Sequence, residues 1–190
     1  MLVVLFTNSA LATIEFVHNF DMYGDYNEYL FSTTNAQVRN EGSTKYWCTQ
    51  TTNSWSDIIY KYDLPFSVDQ ASLRCNIYLY PYREGSQGFV DVSADGNTWT
   101  TVASGQLSIN PVWINVDISS ILKGSNTAYV RSRLYSVGWN IYAQFLRTHL
   151  PDPNYRYPNI YEFRASPVPE PLTLSLLVLG GMAMLRRREL

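Results

Sequence analysis

Charge is scarce in this sequence. Asp, Glu, Lys and Arg together make up 16% of its 190 residues, and the formal charge is -2 with an isoelectric point near 5.6. A chain with no basic excess has no electrostatic footprint for a polyanion, so nucleic acid is not an expected partner. Histidine is nearly missing as well. His18 and His149 have no metal-ligand spacing, and there is no nucleophile elbow, no phosphate-cradling glycine loop and no paired-cysteine motif. These gaps argue against an enzyme. A pair of carboxylates that cleaves glycosides by meeting in space needs no such motif and stays as a third-ranked reading. Most of the acids, such as Asp95 and Asp152, sit where turn chemistry already accounts for them.

Cysteine is limited to Cys48 and Cys75. In an oxidising compartment they could close one loop, worth about 3.5 kcal/mol on the chain-entropy model. Cys75 is equally well explained as a small apolar residue in register with Leu73, Ile77 and Leu79. Both alternatives stand at the level of sequence.

Aromatic residues, by contrast, are abundant at 15%, with 15 Tyr and 5 Trp. Rings favour strands, and the pattern bears this out. Ile58, Tyr60, Tyr62 and Leu64 share one face, opposite Ile59, Lys61 and Asp63, until Pro65 stops the run. Leu73, Cys75, Ile77 and Leu79 point one way, while Tyr78, Tyr80 and Tyr82 point the other. Further strands are expected at Phe89 to Ser93, Trp99 to Val102, Val112 to Ile118, Ala128 to Tyr135, Ile141 to Arg147 and Asn159 to Arg164. Asp95-Gly96 marks a hairpin, and Ser119 to Leu122 a helical turn closed by Gly124. One or two further strands are expected before Trp55. Short strands, regular turn signals and almost no helical period predict an all-β, two-sheet jelly-roll sandwich.

The two ends differ from this body. Leu2 to Phe6 are apolar, and Ala10-Leu11-Ala12 places small residues before Thr13. Residues 1–12 therefore resemble a secretory signal peptide, although no basic residue precedes the apolar run; a buried N-terminal strand is the alternative. At the other end, Val168-Pro169-Glu170-Pro171 precedes an apolar run from Leu172 to Leu185 and then Arg186-Arg187-Arg188. As a short C-terminal hydrophobic helix the run would span about 21 Å, less than the roughly 30 Å of a bilayer core, which suits transient insertion into the inner membrane. The arginines would hold the tail on the cytoplasmic side, with the body outside. The two prolines keep the segment before the helix extended and open to a protease.

Pro-Glu-Pro, a short apolar helix and a terminal basic cluster, in that order, resemble the PEP-CTERM sorting signal of Gram-negative bacteria. The resemblance covers Val168 to Leu190. It implies processing by an exosortase, with Pro169, Glu170 and Pro171 as the recognised motif and Arg186, Arg187 and Arg188 as the retention cluster. It also implies export to the cell surface or extracellular matrix. The segment from Val90 to Val102, with its core Ser93-Ala94-Asp95-Gly96-Asn97-Thr98-Trp99, resembles the strand-turn-strand signature of galactose-binding-like (discoidin and carbohydrate-module) domains. That places a β-sandwich at 13–166 and the sorting signal at 167–190. Domains of this superfold often carry a structural calcium ion, for which Asp21, Asp25 and Glu162 are the expected ligands.

A fold of this kind hosts many functions, so sugar binding has to be argued from side chains. Flat rings flanked by directional hydrogen bonders are what a sugar requires, and Trp47, Trp55, Trp139, Tyr80, Tyr82, Arg131 and Arg133 supply them. Tyr129, Arg131, Arg133 and Tyr135 share one strand face opposite Val130 and Leu134, which makes them the sharpest candidates. The competing reading is a solvated face whose arginines pair with neighbouring acids. Trp99 and Trp113 are assigned to packing. The sequence thus points to an exported, non-catalytic protein that binds extracellular polysaccharide, with a self-associating coat protein as the alternative.

Overall fold

The structure, a computed structural model, describes residues 15–149 and 160–167. The expected signal peptide and sorting tail, including Pro169 to Pro171, the hydrophobic helix and Arg186 to Arg188, lie outside the described residues.

Twelve strands and one helical turn are found among the described residues. In chain order they are β1 (Phe16–Phe20), β2 (Leu30–Thr34), β3 (Ala36–Glu41), β4 (Thr44–Thr49), β5 (Trp55–Asp63), β6 (Val68–Leu79), β7 (Gln87–Ser93), β8 (Thr100–Ser104), β9 (Val112–Asp117), α1 (Ser119–Leu122), β10 (Thr127–Tyr135), β11 (Ala143–His149) and β12 (Tyr161–Pro167). They form two sheets, as the jelly-roll expectation requires. The seven-stranded sheet runs β1-β12-β6-β11-β4-β3, with β9 also pairing β6, and the five-stranded sheet runs β2-β5-β10-β7-β8. Every strand pair is antiparallel. Four strands, rather than the expected one or two, precede Trp55.

The alternation read from the sequence decides which side of each sheet is buried. Ile58, Tyr60 and Tyr62 of β5 and Val130 and Leu134 of β10 face Leu73, Cys75 and Ile77 of β6 and Phe163 of β12. Tyrosines can fill such a core only if their hydroxyls are satisfied. Tyr62 lies flat on Phe163 with centroids 4.2 Å apart, and its hydroxyl meets that of Tyr161 at 2.8 Å. The Trp47 indole N–H donates to the Tyr60 hydroxyl, which donates to the Tyr26 carbonyl. His18 completes this interior, with Nδ1 3.1 Å from the Tyr62 hydroxyl. Burial lowers the His18 pKa to about 4, against the opposing pull of Asp25.

The same geometry rules out the disulfide. Cys48 pairs Gln144, which pairs Tyr78, so Cys48 sits on the outer side of the seven-stranded sheet, whereas Cys75 points into the core. Their strands are separated by β11, about 10 Å across, whereas a bridge needs Cα atoms within about 7 Å. Both cysteines are free and buried, and burial raises both thiols, that of Cys48 to about 12. They are inert fillers, as the second of the two sequence readings held for Cys75.

One irregularity bears on the surface. The β11–β4 register shifts between Phe145 and Thr148, and Leu146 takes a left-handed φ of 56°. Such a conformation in a non-glycine residue costs about 1–3 kcal/mol and needs support from its surroundings. The bulge lets Phe145 and Leu146 both enter the core, so Arg147 emerges on the outer side. Asn76 holds it there, accepting the Arg147 N–H at 2.8 Å and donating to its carbonyl at 3.2 Å.

Candidate functional site

The face formed by Tyr129, Arg131, Arg133 and Tyr135 lies on the outside of the five-stranded sheet, in the middle strand. Register supplies its neighbours. Trp55, Asp57, Ile59 and Lys61 of β5 lie on one side, and Gln87, Phe89, Asp91 and Ser93 of β7 on the other. Asp91 is the centre of the arrangement, with a side chain only 1% exposed. Arg131 Nε donates to Asp91 Oδ2 at 3.0 Å, Arg133 donates through both Nε and Nη2, and the Thr101 hydroxyl donates to Oδ1 at 2.7 Å. Burial alone would raise the Asp91 pKa, but the Arg133 and Thr101 hydrogen bonds and both guanidinium charges outweigh it and hold the carboxyl below its ordinary value.

With their forks fixed on Asp91, the guanidiniums stack against aromatic rings. Arg131 lies 4.1 Å from the Trp99 centroid; Arg133 lies 4.9 Å from Phe89 and 5.6 Å from Trp55. Trp55 also packs against Tyr135 and Phe89, and Phe31 against Tyr129. The result is an open strip about 20 Å long, from Tyr135 to Tyr129 at strand rise. Its rings and planar cations are held in place and Trp55 is 41% exposed. Asp57, across from Arg133, has a buried Oδ1 without a hydrogen-bond partner, and burial raises its carboxyl despite both arginines.

The turn beyond β7 positions Trp99 and is built by its own side chains. Ser93 Oγ accepts from the N–H of Asp95 and of Gly96, and Asp95 Oδ1 accepts from the N–H of Asn97 and Thr98. Those backbone donors hold the Asp95 carboxyl well below the usual range. Gly96 has a φ of 75° and lies under the Tyr129 ring, where an added Cβ would come within 3.1 Å of the ring carbon Cζ. The motif is thus structural, and it sets one end of the strip.

The remaining ligand candidates fall elsewhere. Tyr80, Tyr82 and Trp139 gather with Tyr142 on the outer side of the seven-stranded sheet, away from Tyr129, Arg131, Arg133 and Tyr135, so these candidates form two groups on opposite sides of the sandwich. Trp47 is buried and belongs to the core. Trp99 and Trp113, expected in packing, are instead surface rings, each under a guanidinium: Arg131 for Trp99 and Arg74 for Trp113. Asp91, Phe89 and Asp57 were not singled out in the sequence. The alternation around Val90 and Val92 does turn Phe89 and Asp91 outward, but only the β7–β10 register shows that both arginines meet there.

A scan against protein-family models and a search of the curated proteins each found no match. Solved structures do resemble the chain. A point variant of the family 29 carbohydrate-binding module CBM29-2 aligns at 12% identity and a TM-score of 0.43, covering 81% of this chain and 89% of that one. The C-terminal family 6 module of LamC, a marine laminarinase of Zobellia galactanivorans, aligns at 14% identity and 0.38, covering 70% and 98%. TmCBM61, solved with β-1,4-galactotriose, aligns at 10% identity and 0.37, covering 72% and 88%. These are likenesses of strand arrangement alone.

The three acids expected to hold calcium do not converge. Asp21 Oδ1 accepts from the N–H of Tyr23 and of Gly24 in a turn, and Glu162 takes both Nε and Nη2 of Arg164. Asp25 opens the next turn of the same loop, where its charge acts on His18. Among the described residues no three of His, Cys, Asp and Glu form a group that could hold a metal ion. A polar groove lined by Asp69, Ser72, Asp117, Lys123 and Arg164 has no ring for a sugar to stack on.

Proposed function

We propose that the protein is an exported, non-catalytic surface or matrix protein that binds extracellular polysaccharide along the outer face of the five-stranded sheet. The observation that carries this is the pair of guanidiniums fixed on Asp91, each stacked against an aromatic ring. Such a face offers stacking surfaces and preset donors with little side-chain freedom left to lose on binding. Its open, strip-like form suits the interior of a chain better than a chain end, and neither Asp91, neutralised by two arginines, nor Asp95, consumed by its turn, is available as a general acid or base. A glycan array probed in calcium-containing buffer tests the reading. Hits on polysaccharides, weakened at least tenfold by Trp55→Ala, support it; an array with no hit removes it. Self-association through exposed apolar side chains such as Phe31 and Ile109 is the second reading. Concentration-dependent light scattering that is insensitive to added glycans favours it.

Delivery is proposed separately, on the Pro169-Glu170-Pro171, apolar run and Arg186 to Arg188 order. Intact mass of protein recovered from host medium and envelope, compared with a variant carrying alanine at Pro169, Glu170 and Pro171, is the test. Loss of the tail in the native protein, with the variant held in the membrane, supports exosortase processing. A retained tail makes this a membrane-anchored protein.

A further inference from the structure

A second set of guanidiniums and rings lies on the opposite side of the sandwich. Arg147 sits 4.3 Å from the Tyr78 centroid and Arg83 sits 5.2 Å from that of Tyr142. Tyr80 lies between them, 6.2 Å from Tyr78 and 5.1 Å from Tyr142, and Tyr82 and Trp139 extend the surface. Tyr82 and Trp139 are 77% and 63% exposed, so their ring faces are open to a ligand.

Two features set this surface apart from an incidental cluster. Arg147 is delivered to it by the β11 bulge, through a left-handed Leu146 and a fully buried Asn76 whose amide grips the Arg147 backbone from both sides. Regular pairing would have turned residue 147 inward. Moreover, no carboxylate among the described residues neutralises its arginines. Arg147 donates to the Gln144 amide oxygen at 3.3 Å, and among the described residues neither Arg147 nor Arg83 has a carboxylate partner, Glu84 beside Arg83 included. On the first face, Arg131 and Arg133 are both satisfied by Asp91.

We propose that the Tyr78, Tyr80, Tyr142 and Trp139 surface is a second glycan site and that it takes an acidic polysaccharide. Its rings stack on sugar faces while Arg83 and Arg147 receive the carboxylates of uronic acid units, for which a planar guanidinium is the matching donor. This rests on the glycan-binding reading above but assigns a different surface and a different charge class of ligand.

Affinity electrophoresis of the full chain through gels containing alginate, or the neutral polysaccharides laminarin and galactan, tests it. The comparison uses wild type, an Arg83→Gln/Trp139→Ala variant and a Trp55→Ala variant. Both positions of the double variant are exposed, and an unchanged melting temperature confirms its fold. Expected is retardation by alginate that weakens as NaCl rises, with affinity at least tenfold lower in the double variant and unchanged in Trp55→Ala. Alginate retardation equal in wild type and the double variant overturns the inference. So does retardation of wild type by a neutral polysaccharide but not by alginate, which leaves the first reading standing. No retardation by any of the three, together with an empty array, removes both.

Discussion

The two outer faces of the sandwich use the same residue types to opposite electrostatic effect. On the five-stranded sheet, register places Asp91 opposite Arg131, and the arginines spend their charge on it. On the seven-stranded sheet, Arg83 and Arg147 lean on tyrosines without a carboxylate partner among the described residues. An arginine beside a ring is therefore not one kind of feature. Where it is locked to an acid it is scaffold; where it lacks a counter-charge it is bait for an anion. The faces lie on different sheets, so occupying one leaves the other open.

The sharpest way to break this contrast is to remove its anchor. Asp91→Asn leaves two guanidiniums without their counter-charge and is expected to cost about 3 kcal/mol in urea unfolding at pH 7; a cost near zero would mean the arginines are not held by it. Because the folded carboxyl is depressed, its contribution is present above the unfolded value near 3.9 and is lost as pH falls through the lower folded one. The difference between wild type and variant should therefore shrink below about pH 4. A second effect belongs to the core that both faces share. His18 has a folded pKa of about 4, below its ordinary 6.5, so the unfolded chain takes up the proton first and stability falls as pH drops from 6.5 toward 4. The expected loss is about 2 kcal/mol, and His18→Phe should flatten that slope in denaturation curves at pH 7 and 4.5. Third, Trp55→Ala should weaken binding to neutral glycans about tenfold, or about 1.4 kcal/mol, in titration calorimetry, while Trp139→Ala leaves it unchanged. Smallest is Arg83→Gln, expected to alter unfolding free energy by less than about 0.5 kcal/mol. A stability loss at Arg83 as large as that at Asp91 would erase the distinction.

Much of this fold was legible because its inner strands carry a clean period of two. The Ile58, Tyr60, Tyr62 row and the Leu73, Cys75, Ile77 row both end in the core, and the hairpin at Asp95-Gly96 lies where its left-handed glycine is needed. β2 and β3 were not legible. As edge strands, Leu-Phe-Ser-Thr-Thr and Ala-Gln-Val-Arg-Asn-Glu bury little, and the alternation in the second is only two apolar residues long, Ala36 and Val38. Site residues divide in the same manner. The face shared by Tyr129, Arg131, Arg133 and Tyr135 follows from periodicity, and the competing expectation of arginines paired with acids holds on that very face. What joins them, Asp91 from a strand far away in sequence, depends on register between strands, which no local pattern encodes. Trp47 and Trp55 show the same limit: two similar indoles near in sequence, one inside the core and the other on the strip. Arg147 was hidden for another reason, because a single bulge reversed the parity that the sequence pattern assumes.

Among the described residues β1 pairs only β12, with Phe16 opposite Ala165. At ribosomal speed the interval between making these two strands is on the order of ten seconds, and through that time the first strand waits with its hydrogen-bonding edge unmatched. β12 is also the strand that covers one edge of β6, and it ends at Pro167, two positions before Pro169 of the Pro-Glu-Pro triplet. The strand that closes the sheet is thus the last of the twelve to be made, so the sheet stays open until the chain has been synthesised through Pro167.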